Sequence, residues 1–244
     1  MFKLIGNDTE EIQRNWVVRQ LKNLPSACRI LDAGAGELRF KPHCSHLQYV
    51  AQDFGQYNGG GDGAGLQTGK WDNSRLDIVS DITCIPVDDA SFDAILCSEV
   101  FEHIPDAIAA VREFARILKP GGTLLITAPF SSLTHFAPYH FCGYNRYWYM
   151  HHLPALGLKI EVIDHNGSWF TFVAQELRRS RLVGRMYASG LLGLITRVAA
   201  IPLLVLLTLQ ARRDRASEEL LCFGFMVRAI KVAEGHSGRD TTNE

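Results

Sequence analysis

Arg29-Ile30-Leu31-Asp32-Ala33-Gly34-Ala35-Gly36 is the stretch on which the fold turns. Arg29 to Leu31 reads as a short strand that runs without a linker into a glycine turn. Glycines at a strand's end let a ligand come close to main-chain N–H groups, above all where the turn opens a helix. Loops that bind a dinucleotide read Gly-x-Gly-x-x-Gly. Here Arg39 stands where the third glycine would fall, and an acid, Asp32, closes the strand. A carboxylate is a poor neighbour for a diphosphate and a good one for a cation.

S-adenosylmethionine (SAM), with its sulfonium and amino groups, meets that requirement. Further along, Tyr49 to Gln52 reads as a second strand ending at Asp53, where a carboxylate can accept both hydroxyls of a ribose. Upstream, 8–24 reads as an amphipathic helix: Asp8 and Glu11 have capping-box-like spacing, and Pro25 ends it. Downstream, 54–75 is a polar loop containing Gly59-Gly60-Gly61-Asp62-Gly63, and a loop of that length is usually functional or mobile. Strands are then expected at 76–79, 92–97, 123–127, 159–163 and 220–232. Helices are expected at 107–118 and 147–156. Alternation of this kind predicts an α/β fold: a doubly wound, mostly parallel, seven-stranded sheet covered on both faces.

These elements together resemble the class I SAM-dependent methyltransferases, methyltransferase type 11-like, over about 29–163. The resemblance is carried by Leu31-Asp32-Ala33-Gly34-Ala35-Gly36, Val50-Ala51-Gln52-Asp53, Ser80-Asp81-Ile82 with Pro86, and Ser91-Phe92-Asp93. It continues through Ser98-Glu99-Val100-Phe101-Glu102-His103-Ile104-Pro105 to Leu118-Lys119-Pro120-Gly121-Gly122-Thr123. It implies that Asp32, Gly34 and Gly36 line the methionine part of SAM, that Asp53 binds the ribose, and that Asp81 and Ile82 hold the adenine. Ser98 is implied as the floor near the methionine end. The family's common third glycine, two residues after Gly36, is Leu38 here.

Ligands of such sheets sit outside the carboxyl ends of the strands. Glu99, Glu102 and His103 follow the fourth strand. After the fifth comes an aromatic run with His135, His140 and Arg146, which predicts a lid over the methyl acceptor. His135 and His140 are candidate general bases, with His103 a third candidate whose first reading is helix-start packing and hydrogen bonding. No Asn/Asp-Pro-Pro-Tyr/Phe motif follows the fourth strand, so amino groups of nucleic-acid bases are disfavoured and an oxygen or carbon acceptor is favoured.

Between the sixth and last strands lies an apolar and basic helical insertion at 168–216. Its apolar run, 187–209, is near membrane-spanning length but carries Arg197 at its middle, which costs about 3 kcal/mol on insertion. A hairpin in the membrane interface, flanked by arginines, fits better. A buried helix or a homodimer contact is the other reading. Insertions so placed resemble methyltransferases of surface-polysaccharide and lipid-linked glycan pathways.

The chain of 244 residues is read as one domain, 1–244, and its formal charge of −1 gives no footprint for nucleic acid. The six cysteines show no metal-ligand spacing, so no metal site is expected, and the thiols read as reduced ones of a cytoplasmic protein. No charged-then-apolar leader opens the chain. The expectation is methyl transfer from SAM to a small-molecule or glycan- or lipid-linked acceptor, on the cytoplasm's side of the inner membrane. A quinone or other aromatic-lipid methyltransferase and a non-catalytic SAM-binding protein are the alternatives.

Overall fold

The computed structural model describes residues 4–233. Seven strands form one sheet: β1 (Arg29–Ala33), β2 (Gln48–Asp53), β3 (Ile78–Val79), β4 (Phe92–Ser98), β5 (Leu118–Pro129), β6 (Leu158–Asn166) and β7 (Gly224–Lys231). Their order is β3-β2-β1-β4-β5-β7-β6. β1 to β5 run parallel, and β7 pairs antiparallel with both β5 and β6. The expected α/β sheet with seven strands is present.

Among the described residues six α-helices accompany it: α1 (Thr9–Lys22), α2 (Ala107–Ile117), α3 (Arg146–Ala155), α4 (Trp169–Tyr187), α5 (Gly190–Ala199) and α6 (Ile201–Ala211). Strand alternation sorts the core onto two faces. Leu31, Ile95, Ile126 and Val227 face Val111 and Phe114 of α2 and Tyr149 and Leu153 of α3. Their neighbours in sequence, Ile30, Leu96, Leu125 and Met226, face Trp16, Val17 and Leu21 of α1. Capping fixes where helices begin. Asp106 accepts the Ala109 N–H at 2.9 Å to start α2, and Asn145 accepts the Trp148 N–H at 3.1 Å to start α3. Asp8, in contrast, makes no such side-chain bond at the start of α1.

One expectation is corrected. The glycine loop does not open an α-helix; only a short 3-10 turn, Lys41–His43, follows it. Leu38 explains why: it holds φ +62°, the left-handed conformation that stops a right-handed helix. The residue where the family has glycine thus keeps a glycine-like backbone and buries its side chain against Ala35 and Ala51.

The segment before β7 is three helices. α4 and α5 cross main chain to main chain, since a Cβ on Gly184 would lie 2.9 Å from the Gly193 Cα. Leu191, Leu192, Ile195, Val198, Leu203 and Leu206 are exposed on α5 and α6. Among the described residues no single helix is long and apolar enough to cross a membrane. α5 and α6 pass that test only as a pair, bent by 47°.

Candidate active site

At the carboxyl ends of β1 and β2 the glycine loop folds back on its neighbour. Gly34 and Ala35 both donate N–H to the Gln52 carbonyl at 2.8 Å, and Gly36 donates to Asp53 Oδ2 at 3.1 Å. The loop's amides are therefore satisfied internally, and the loop contributes shape rather than open donors. Gly34 holds φ +76°, and a Cβ there would lie 2.4 Å from Val100 Cγ2. Gly36 holds φ +49° beneath Trp71.

Beside this loop is a cavity of about 380 Å³, within the range of small-molecule and cofactor sites. Gly34, Asp53, Asp81 and Ile82 line it as the sequence leads one to expect, joined by Tyr57 and Trp71. Asp53 is held by two amides, its second oxygen taking the Gly55 N–H at 2.9 Å. Asp81 Oδ1 takes the Thr83 N–H and hydroxyl, each at 2.8 Å. A carboxylate at the end of β2, a second carboxylate with an apolar partner after β3, and a glycine floor suit a nucleoside cofactor. The roof is built by two loops. Tyr57 stacks on Phe136 at 4.7 Å, Leu66 pairs with His135, and Asp62 donates its N–H to the Ala137 carbonyl at 3.0 Å. The glycine-rich loop 54–75 and the aromatic loop after β5 thus form one cover, of which only the second was expected.

Three expected cofactor residues, Asp32, Gly36 and Ser98, stand behind this lining rather than in it. Asp32 is buried, its Oδ2 taking the Tyr49 hydroxyl at 2.5 Å. Burial raises its pKa from the ordinary 3.8 to about 7 despite that bond, with Asp53 adding to the rise. An acid that ionises later in the folded chain than in the unfolded chain stabilises the fold at low pH, and that stability is lost as pH rises through the window from about 4 to 7. Asp32→Asn can keep the Tyr49 bond, so denaturant titrations at pH 5 and pH 8 should show a shallower loss than in the parent. A shift of this size corresponds to about 2–4 kcal/mol across the full window; an unchanged slope would show that Asp32 is not the group responsible. Ser98 belongs to a buried chain: Gln13 Nε2 donates to Ser98 Oγ at 2.7 Å and to Thr127 Oγ1 at 2.8 Å, and Thr127 Oγ1 donates to Glu99 Oε1 at 2.9 Å.

Glu99 is the informative residue that the sequence left among several acids. It holds φ +55°, a strained backbone for a side-chain-bearing residue, and such strain collects at functional sites. Its side chain is exposed, and it lines both the cofactor-sized cavity and a second cavity of about 180 Å³. Packed surroundings, then the Glu102 carboxylate, push its pKa up to about 8. Gln13, Ser131, Asn166 and Arg179 line the second cavity, so α1 and α4 both wall it.

His103, His135 and His140, the candidate bases, come together: their rings lie 4.8, 5.6 and 4.6 Å apart, centroid to centroid. Of the three, His103 lines the larger cavity. Its Nδ1 contacts the Tyr139 carbonyl, and its Nε2 lies 3.6 Å from Glu102 Oε1. His135 Nδ1 is 2.9 Å from the Leu133 carbonyl, and its Nε2 is 3.7 Å from the same Glu102 oxygen. Burial holds His103 and His140 below the ordinary imidazole value. At His135 burial acts the same way, and Glu102 overcomes it to give a raised pKa.

A family model described as a methyltransferase domain matches residues 31–126. Among curated proteins, a ubiquinone biosynthesis O-methyltransferase of Xanthomonas campestris pv. campestris is 54% identical over 37 residues, 15% of this chain and 16% of that protein. The chain therefore spans about a sixth of the length of that relative. Among solved structures, a putative sarcosine dimethylglycine methyltransferase from Galdieria sulphuraria has TM-score 0.53 and 16% identity, covering 92% of this chain and 85% of its own. The 4+2 cyclase SpnF has TM-score 0.55 and 17% identity, covering 94% and 86%. The fold is thus the Rossmann-like one of the class I methyltransferases, which the sequence resemblance implied.

Proposed function

We propose that this chain, whose residues 31–126 match the methyltransferase domain, transfers a methyl group from SAM to a hydroxyl of a polar acceptor. The observation that carries this reading is the position of Glu99 between two cavities, one shaped for a nucleoside and one lined by hydrogen-bonding side chains. When bound, SAM supplies an electrophilic methyl group on a sulfonium. Asp53 orients the ribose, Asp81 and Ile82 border the adenine, and the joined loops exclude water. Glu99 takes the acceptor's hydroxyl proton, so that an alkoxide-like oxygen meets the methyl group. His103 is less suited to that proton, because its Nδ1 meets the Tyr139 carbonyl and its Nε2 is turned toward Glu102.

A hydroxylated glycan or lipid head suits the hydrogen-bonding side chains that line the second cavity, Gln13, Ser131, Asn166 and Arg179 among them. The quinone reading draws on the shared stretch with ubiquinone biosynthesis O-methyltransferases; the cyclase on the same fold shows that the fold also carries work other than methyl transfer. Calorimetry with SAM and S-adenosylhomocysteine tests the first step, and binding of neither would end the reading. Incubation with labelled SAM and, separately, envelope lipids, glycan lipids and quinone precursors distinguishes the acceptors. Cofactor binding with every acceptor left unlabelled would favour the non-catalytic role.

The exposed apolar face of α5 and α6 favours a lipid surface nearby. Between 178 and 215 there are eight arginines and one acid, Asp214, a balance that suits anionic headgroups. The protein is expected to sediment with vesicles containing phosphatidylglycerol, less so at high salt, and not with pure phosphatidylcholine. Leu192→Glu with Ile195→Glu should abolish this. A protein that ignores both vesicles, but forms a dimer that these changes split, would make the face a contact between copies.

A further inference from the structure

Glu102 is fully buried, and neither carboxylate oxygen has a hydrogen-bond partner. A buried carboxylate without a hydrogen bond is a costly arrangement in a protein interior. It is aimed at the histidine cluster, with one oxygen 3.6 Å from His103 Nε2 and 3.7 Å from His135 Nε2. His103 and His135 each direct Nδ1 to a main-chain carbonyl, so in the neutral ring the proton sits on Nδ1 and the Nε2 lone pair faces inward. Metal-bound histidines are held in this way by their other ring nitrogen. His103 Nε2 and His140 Nδ1 are also buried and unpartnered. Lone pairs of neutral rings and a carboxylate turned toward one another repel unless a proton or a metal cation lies between them.

We propose that His103, His135, His140 and Glu102 bind a divalent first-row transition cation, zinc being the best fit. One ligand nitrogen from each histidine can be chosen so that all lie within 4.8 Å of one another. Tetrahedral zinc with nitrogen ligands at about 2.0–2.1 Å brings them to roughly 3.3 Å apart, so shifts of under about 1 Å per ring complete the site. Three imidazoles with one carboxylate suit zinc, cobalt or nickel; magnesium and calcium prefer an all-oxygen shell. Four protein ligands close a tetrahedral shell, which marks a holding role. Glu102 and His103 follow β4, whereas His135 and His140 belong to the loop after β5. The cation therefore staples the cavity's cover to the sheet, and Glu99 remains free for the acceptor.

Metal binding has its own readout, separate from methyl transfer. Full-length protein should retain about one zinc per chain through gel filtration, measured by elemental analysis. After chelation, cobalt should restore a single site with the intense visible absorption of tetrahedral coordination. His135→Ala with His140→Ala should weaken cobalt binding by at least about 100-fold, more than the loss of an outer-shell partner. Glu102→Gln, which keeps size and removes the charge, should lose the drop in melting temperature that chelator causes in the parent. Overturning results are a parent that holds no metal and ignores chelator, or variants that bind cobalt as the parent does. The first would leave an imidazolium–carboxylate cluster, and the second would place the metal elsewhere. Cofactor calorimetry on the chelated protein keeps a failure here apart from a failure of the methyltransferase reading.

Discussion

Glu99→Gln is expected to lower methyl transfer by about 100- to 10,000-fold, the usual contribution of a positioned base, while cofactor affinity stays near the parent's. The substitution preserves volume, and a glutamine oxygen can still accept the Thr127 hydroxyl that Glu99 Oε1 accepts at 2.9 Å. What it removes is the one lining group common to both cavities that can take a proton. The effect should fall on kcat, with little change in the acceptor's KM, because the proton moves only as the bond forms. Calorimetry with S-adenosylhomocysteine and single-turnover transfer on the same preparation separate the two quantities. Activity within ten-fold of the parent would exclude Glu99 as the base and return the question to the histidines.

Gly34→Val should abolish cofactor binding and destabilise the fold by about 3 kcal/mol or more. Two penalties combine. A branched side chain at φ +76° is strained, and the new Cβ would lie 2.4 Å from Val100 Cγ2, closer than packed atoms allow. Should the valine variant not fold, Gly34→Ala carries a smaller version of the same clash. Pairing it with Val100→Ala should recover part of the stability, and a double-mutant cycle would measure that coupling. Additive effects in the cycle would mean that Val100 does not confine Gly34.

The resemblance to a methyltransferase rested on residues whose roles are local to the chain. The spacing from Leu31 through Gly36, the acid closing β2, and the Lys119-Pro120-Gly121-Gly122 turn before the expected fifth strand are all visible without tertiary structure. So is the alternation of Ile30 and Leu31 between opposite faces, which follows from the two-residue period of a strand. These features determined the sheet, its strand assignments and part of the larger cavity's lining: Gly34, Asp53, Asp81 and Ile82 all meet there.

Other properties depended on distance through space. The glycine loop proved closed, its amides bonded to Gln52 and Asp53, so that its glycines serve close packing by Val100 and Trp71. No local rule predicts that Leu38 adopts a left-handed backbone and stops the following helix, because burial against Ala35 and Ala51 offsets the strain. Glu99, Glu102 and His103 read in sequence as three polar residues after a strand. Only the return of the loop after β5 brings His135 beside Glu102 and His140 against the other two rings, and only the packing of α1 and α4 leaves Glu99 between two cavities. The sequence by itself thus determined the sheet and four residues that line one end of the larger cavity, since both follow from backbone periodicity and short-range spacing. The tertiary structure decided which acid lies between the two cavities and which histidines share a carboxylate, because burial and convergence arise only when distant segments pack.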